Sequence, residues 1–158
     1  MGGLKEFSLP RAPLQFELRG AEIHVFDILR RRWLPATPEE IVRQSLVHFM
    51  IHHCGYPQGL ISCEWPIKQG LKKFRADVVV LSRKGKPWLV VECKAPQVPL
   101  DQKTLHQVAA YVAGMAPEAV ALCNGLTCLY FQRAFPREGW QTGLPPYPSD
   151  THSPGPAE

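Results

Sequence analysis

A mixed α/β fold is predicted by three features of the sequence. They are a capped helix early in the chain, three strand-like runs after it, and a second helix followed by two turn-linked strands. Thr37-Pro38-Glu39-Glu40 marks the helix start. Thr37 suits the N-cap, Pro38 the first helical position, where a missing N–H costs nothing, and Glu40 falls three residues on, as in a capping box. Ile41, Val42, Leu46, Phe49 and Met50 then recur at helical spacing until Gly55 and Pro57 end the pattern. The runs 60–67 (LISCEWPI), 74–82 (FRADVVVLS) and 87–94 (PWLVVECK) read as strands, and Gly85 joins the last two as a hairpin. Helical spacing returns over 101–115 through Leu105, Val108, Ala109 and Val112. Strands 118–123 and 126–132 follow, linked by Asn124-Gly125, whose tolerance of the left-handed backbone favours a tight hairpin.

These elements define a core domain over 37–135. Residues 1–36 read as an N-terminal extension, in which 14–18 and 23–26 form a short strand pair across the turn 19–22. Arg30, Arg31 and Arg32 are expected to be a solvated loop, the alternative being a phosphate contact. Residues 136–158 are expected to be a flexible, proline-rich tail without catalytic role, because the prolines from Pro145 onward forbid regular structure and little apolar content remains.

Composition narrows the function classes. The chain has 158 residues, 45% of them apolar and 20% charged, enough to bury one ordinary core. Its formal charge of +4 permits a polyanionic partner without demanding one. No apolar run is long enough for a membrane span, and no secretory pattern opens the chain, so a cytoplasmic location is expected. The five cysteines are then expected to be reduced. His52, His53 and Cys54 are adjacent but lack a second pair at zinc-site spacing.

The informative segment is 74–96. Asp77 lies early in a strand that continues Val78-Val79-Val80-Leu81, and Glu92 and Lys94 end the strand begun by Trp88-Leu89-Val90-Val91. Alternation puts Glu92 and Lys94 on one face, and a hairpin lets Asp77 approach it. Two carboxylates beside an apolar sheet repel one another and are costly to bury. A divalent cation relieves both costs, and Mg²⁺ favours such a site, completing its shell with water and substrate phosphate. A lysine alongside suits hydrolysis of a phosphodiester. The alternative on residues alone is an internal salt bridge at a strand end.

The block RADVVVLSRKGKPWLVVECKAP resembles the PD-(D/E)xK nuclease motif, with Ala76 in place of the proline. More closely, the chain resembles the N-terminal nuclease domain of type I restriction enzyme R subunits, in a small stand-alone form. TPEEIVRQ, RAD, ECKAP, QVAAY and ALCNGLTCLYF carry the resemblance in order, over about 35–133. It implies a restriction-endonuclease-like αβββαβ core, with a mixed central sheet flanked by helices. It further implies a Mg²⁺-dependent nuclease, Mn²⁺ able to substitute, that cuts DNA in restriction, repair or defence. Asp77, Glu92, the Cys93 carbonyl and Glu40 would hold the metal, with Glu39 the alternative to Glu40. Lys94 would assist the attacking water, and Gln107 would hold substrate or water. Arg43, Gln44, Lys72, Lys73 and Arg75 are candidate contacts to nucleic acid. A homodimer is left open by the resemblance. The competing reading is a nuclease fold that binds nucleic acid or regulates a partner without cutting.

Overall fold

Helix α1 (Pro38–His52) begins where the cap signal places it: the Thr37 hydroxyl accepts a hydrogen bond from the Glu40 amide at 3.2 Å. The other half of the capping box is absent, because the Thr37 N–H donates to the Pro35 carbonyl and leaves the Glu40 carboxylate for other partners. The structure, a computed structural model, describes residues 7–149, apart from the side chains of Gln69 and Tyr111.

The principal sheet has the order β4 (Ile61–Gln69), β5 (Lys72–Leu81), β6 (Pro87–Cys93), β7 (Ala119–Cys123), β8 (Cys128–Gln132) and β9 (Gln141–Thr142). All neighbours are antiparallel except β6 and β7, which run parallel and are joined by helix α2 (Gln102–Val112), the crossover that a parallel pair requires. The order α1, β4, β5, β6, α2, β7 is thus the αβββαβ sequence expected, in a mixed sheet. A 3-10 turn (Ala113–Met115) completes the predicted second helix.

Period-two alternation divides the sheet between two cores. Val78, Val80, Leu89, Val91 and Cys93 face α1, where Val42, Leu46 and Met50 cover them. Val79, Val90, Val120 and Leu122 face α2 and meet Leu105, Val108 and Val112. Strands β6 and β7 are covered on both sides, which explains their near-continuous apolar runs.

Four findings depart from expectation. The 1–36 segment is more ordered than a strand pair: β1 (Phe16–Arg19), β2 (Glu22–Asp27) and β3 (Arg32–Pro35) form an antiparallel sheet. Within it, Arg30 is not solvated. Asp27, wholly buried, accepts the Leu29 and Arg30 amides at 2.8 and 2.9 Å and pairs with the Arg30 guanidinium, which draws that side chain inward. The Asn124-Gly125 hairpin is wider than a two-residue turn, and β8 starts at Cys128. The Asn124 carboxamide oxygen accepts the Leu126 and Thr127 amides, both at 3.0 Å, and shapes residues 124–127 into the loop.

Lastly, the proline-rich region is packed as far as Tyr147. Leu144 and Tyr147 lie against the α1-side core. The Tyr147 ring sits edge-on to Trp88 at 5.0 Å, and its hydroxyl donates to the Leu81 carbonyl at 2.9 Å. Tyr56 donates to the Pro145 carbonyl. Prolines exclude ladder hydrogen bonds but not aromatic packing. The rest of the predicted tail, 150–158, lies outside the described residues.

Candidate active site

Strands β5 and β6 are in register from Val80↔Leu89 down to Val78↔Val91, below a register shift at Leu81. The next positions in that register are Asp77 and Glu92, and there the ladder stops. The Asp77 carboxylate takes over a backbone role across the gap: its Oδ2 accepts the Cys93 amide at 2.8 Å. Lys94, two residues beyond Glu92, places Nζ 3.5 Å from Glu92 Oε1. The structure therefore brings Asp77, Glu92 and Lys94 together, all partly accessible, with side-chain exposures of 26%, 20% and 31%. Cys93 enters through its amide; its thiol is buried in the α1-side core, and burial raises its pKa far above the ordinary range.

The electrostatics of the pair are unfavourable as they stand. Burial, and then the charge of Glu92, push Asp77 up to about 7, and the opposing pull of the Cys93 amide and Arg43 does not compensate. Hard oxygen donors crowded in this way fit a divalent cation, which would neutralise both. Among the described residues no group of three or more His, Cys, Asp or Glu is placed to hold a metal ion.

Glu40 stands one guanidinium away from this pair. Its carboxylate is 8% exposed and is gripped by Arg43, Nε to Oε2 at 2.7 Å and Nη2 to Oε1 at 3.0 Å. Arg30 adds a contact at 3.3 Å and Gln44 one at 3.5 Å. Burial lowers the pKa of Arg43, but the hydrogen bond to Glu40 outweighs it, and the net direction is up. Arg43 Nη1 then reaches to 3.7 Å from Asp77 Oδ1, so Glu40 bears on the pair through Arg43.

Two candidate nucleic-acid contacts are placed elsewhere. Gln44 is fully buried and Arg43 nearly so, because both face the Glu40 carboxylate from the same side of α1. Neither presents its head group to a surface ligand. Lys72, Lys73 and Arg75 are exposed on β5, beyond the end of β6, and Gln107 is exposed on α2.

Sequence reasoning missed Glu64. The β4–β5 register, Cys63↔Val78 and Trp65↔Ala76, puts Glu64 across from Asp77, and the ladder skips that position because Glu64 has φ +52°. A left-handed glutamate in mid-strand is costly and is held by its neighbours. Here they are Arg30 at 3.4 Å, Arg43 at 3.5 Å and Arg75 at 3.4 Å. The only signal was a lone charge within LISCEWPI, which reads equally well as a solvent-facing residue. Arg30 was missed as a site residue for a related reason: its partners Glu40 and Glu64 are remote in sequence.

The family described as type I restriction enzyme R protein N terminus (HSDR_N) matches residues 38–142, from the first turn of α1 to the end of β9. The chain belongs to this family. The match spans the αβββαβ core and every residue of the Asp77–Glu92–Lys94 constellation, and supports a nuclease-like domain. Among solved structures, a candidate nuclease of the DUF820 group from Anabaena variabilis ATCC 29413 aligns at 14% identity with a TM-score of 0.45, covering 89% of this chain and 85% of that one. No curated protein matches the chain. Among the described residues, no helix is long and apolar enough to cross a membrane.

Proposed function

We propose that this family member is a divalent-metal-dependent nuclease that hydrolyses phosphodiester bonds of DNA, in restriction, repair or defence. One observation carries the reading: Asp77 and Glu92 lie opposite each other where the β5–β6 ladder ends, with Lys94 beside Glu92 and Asp77 driven up to about 7. Asp77, Glu92 and the Cys93 carbonyl would hold Mg²⁺ or Mn²⁺. Such an ion, when bound, supplies neutralisation of the phosphate and a lowered pKa for bound water.

The remaining roles belong to the chain. The Cys93 amide fixes Oδ2 of Asp77, while Oδ1 faces Arg43 Nη1 at 3.7 Å. Glu92 sets the position of the Lys94 ammonium. Lys94 orients a water towards the phosphorus and offsets the charge that grows on the phosphate oxygens as the sugar oxygen departs. Arg43, anchored by Glu40, fixes the charge behind Asp77.

The test is cleavage of single-stranded, duplex and nicked DNA, and of RNA, by purified protein with Mg²⁺ or Mn²⁺, beside Asp77→Asn and Lys94→Ala. Metal-dependent cutting of DNA that both variants lose supports the reading. No cutting of any form by the wild type refutes it and leaves the non-cleaving module.

A further inference from the structure

Strand β5 outlasts its partner on one side. It pairs with β6 no further than Val78, yet with β4 as far as Gln69↔Lys72. The two strands therefore run past the carboxylate pair as a two-stranded ribbon, turned by Gly70 at φ +61° and Leu71. Leu71 is wholly exposed, so the tip packs on nothing. The base is anchored by Ile67 and Ala76, buried in the α2-side core.

The lysine charge on this ribbon is not used in pairing with carboxylates among the described residues. Residues 66–75 include Lys68, Lys72, Lys73 and Arg75 and no acidic residue, a charge equal to the formal +4 of the whole chain. Lys68 lies directly opposite Lys73, a cross-strand pairing of like charges that weakens a hairpin. Among the described residues no carboxylate forms an ion pair with Lys68, Lys72 or Lys73. The ladder puts Lys68, Lys73 and Arg75 on one face, opposite the face of Ile67 and Phe74. Arg75 reaches Glu64 at the edge of the candidate active site, so this cationic face runs without interruption from the tip to the carboxylates.

We propose that the β4–β5 ribbon is an arm that enters the major groove of double-helical DNA and binds its phosphates, holding the duplex beside Asp77 and Glu92. This deepens the nuclease reading and rests on it for the placement of the scissile strand. Three physical points select the ligand. The cationic face carries no aromatic ring, so it lacks the stacking platform by which single strands are gripped. A two-stranded ribbon fits the major groove of B-form DNA. The major groove of duplex RNA is too deep and narrow to admit it.

The test is binding of a labelled DNA duplex, the matching single strand and the matching RNA duplex, followed by fluorescence anisotropy in EDTA between 50 and 200 mM salt. Wild type is compared with the Lys68→Ala/Lys73→Ala double variant. Two lost phosphate contacts lower the slope of log affinity against log salt by about 1.8. Over that fourfold salt range, the wild-type affinity then falls about 12-fold more than that of the variant. The variant should melt no lower than wild type, because the lysine pair opposes folding. An unchanged salt slope in the variant overturns the proposal, as does tighter wild-type binding to the single strand or to duplex RNA. Because the assay contains no metal, its result is separate from that of the cleavage assay. Ribbon-dependent binding without cutting sinks the nuclease reading alone, and cutting with an unchanged slope sinks the arm alone.

Discussion

Replacing Asp77 by Asn should stabilise the metal-free protein, although Asp77 is central to the proposed chemistry. A carboxyl whose ordinary pKa is 3.8 stands at about 7 in the folded state, chiefly through burial and the adjacent Glu92 charge. The folded state therefore holds this proton more tightly than the unfolded chain does. Its contribution is intact below pH 3.8, declines as pH rises towards 7, and is fully lost above that. The loss is at most about 4 kcal/mol at pH 8, solvent screening reducing it because the side chain is 26% exposed. Asparagine keeps an oxygen for the Cys93 amide and removes the charge. Thermal melts in EDTA from pH 5 to 8.5 should show Asp77→Asn gaining on wild type as pH rises, by up to about 10 °C at the alkaline end. Mg²⁺ at pH 8 should raise the wild-type melting temperature and leave the variant unmoved. A variant that melts below wild type at pH 8, or a difference independent of pH, would refute the argument that the carboxylates are crowded against each other.

Three further outcomes are expected. Lys94→Ala should lower cleavage at least about 100-fold while its urea midpoint shifts by less than about 1 kcal/mol equivalent, since the ammonium is partly exposed and its loss leaves no buried orphan. Arg43→Ala should destabilise by about 3 kcal/mol in denaturant titration, because it leaves the buried Glu40 carboxylate with only the longer contacts to Arg30 and Gln44, whereas Arg75→Ala, at an exposed pair, should cost less than about 1 kcal/mol. Tyr147→Ala should cost about 3 kcal/mol by removing a ring wedged against Trp88 and Tyr56; a change within noise would mean that the segment after β9 does not support the core.

The elements that the sequence announced are those governed by local rules. The Thr37 cap, the Gly85 hairpin and the Val-rich alternation of β5 and β6 depend on neighbours a few residues away, and so does the approach of Asp77 to Glu92 and Lys94 through a hairpin. The features that escaped depend on distant partners. Arg30 lies in a run of three arginines, an ordinary solvated pattern, and only the folded chain brings it to Glu40 and Glu64. Gln44 has the composition of a surface residue but shares a helix face with Glu40, and the core closes over it. The left-handed backbone of Glu64 has no sequence signature, since glutamate rarely adopts it. Tyr147 was discounted because proline content argues against ladders, a rule that says nothing about rings filling a cleft.

The anchoring of Tyr147 bears on the approach to the carboxylate edge. Phe7 meets Phe49 near the end of α1 and lies within 3.7 Å of where a side chain at Gly143 would begin, while Tyr147 is fastened to Leu81 at the far end of β5 from Lys72. Lys72 and Leu81 are the two ends of the 10-residue strand β5, roughly 30 Å apart. The anchor at Tyr147 thus lies at the end of β5 remote from the ribbon tip, so a long, stiff polymer lying along the ribbon to the carboxylate edge would not meet it.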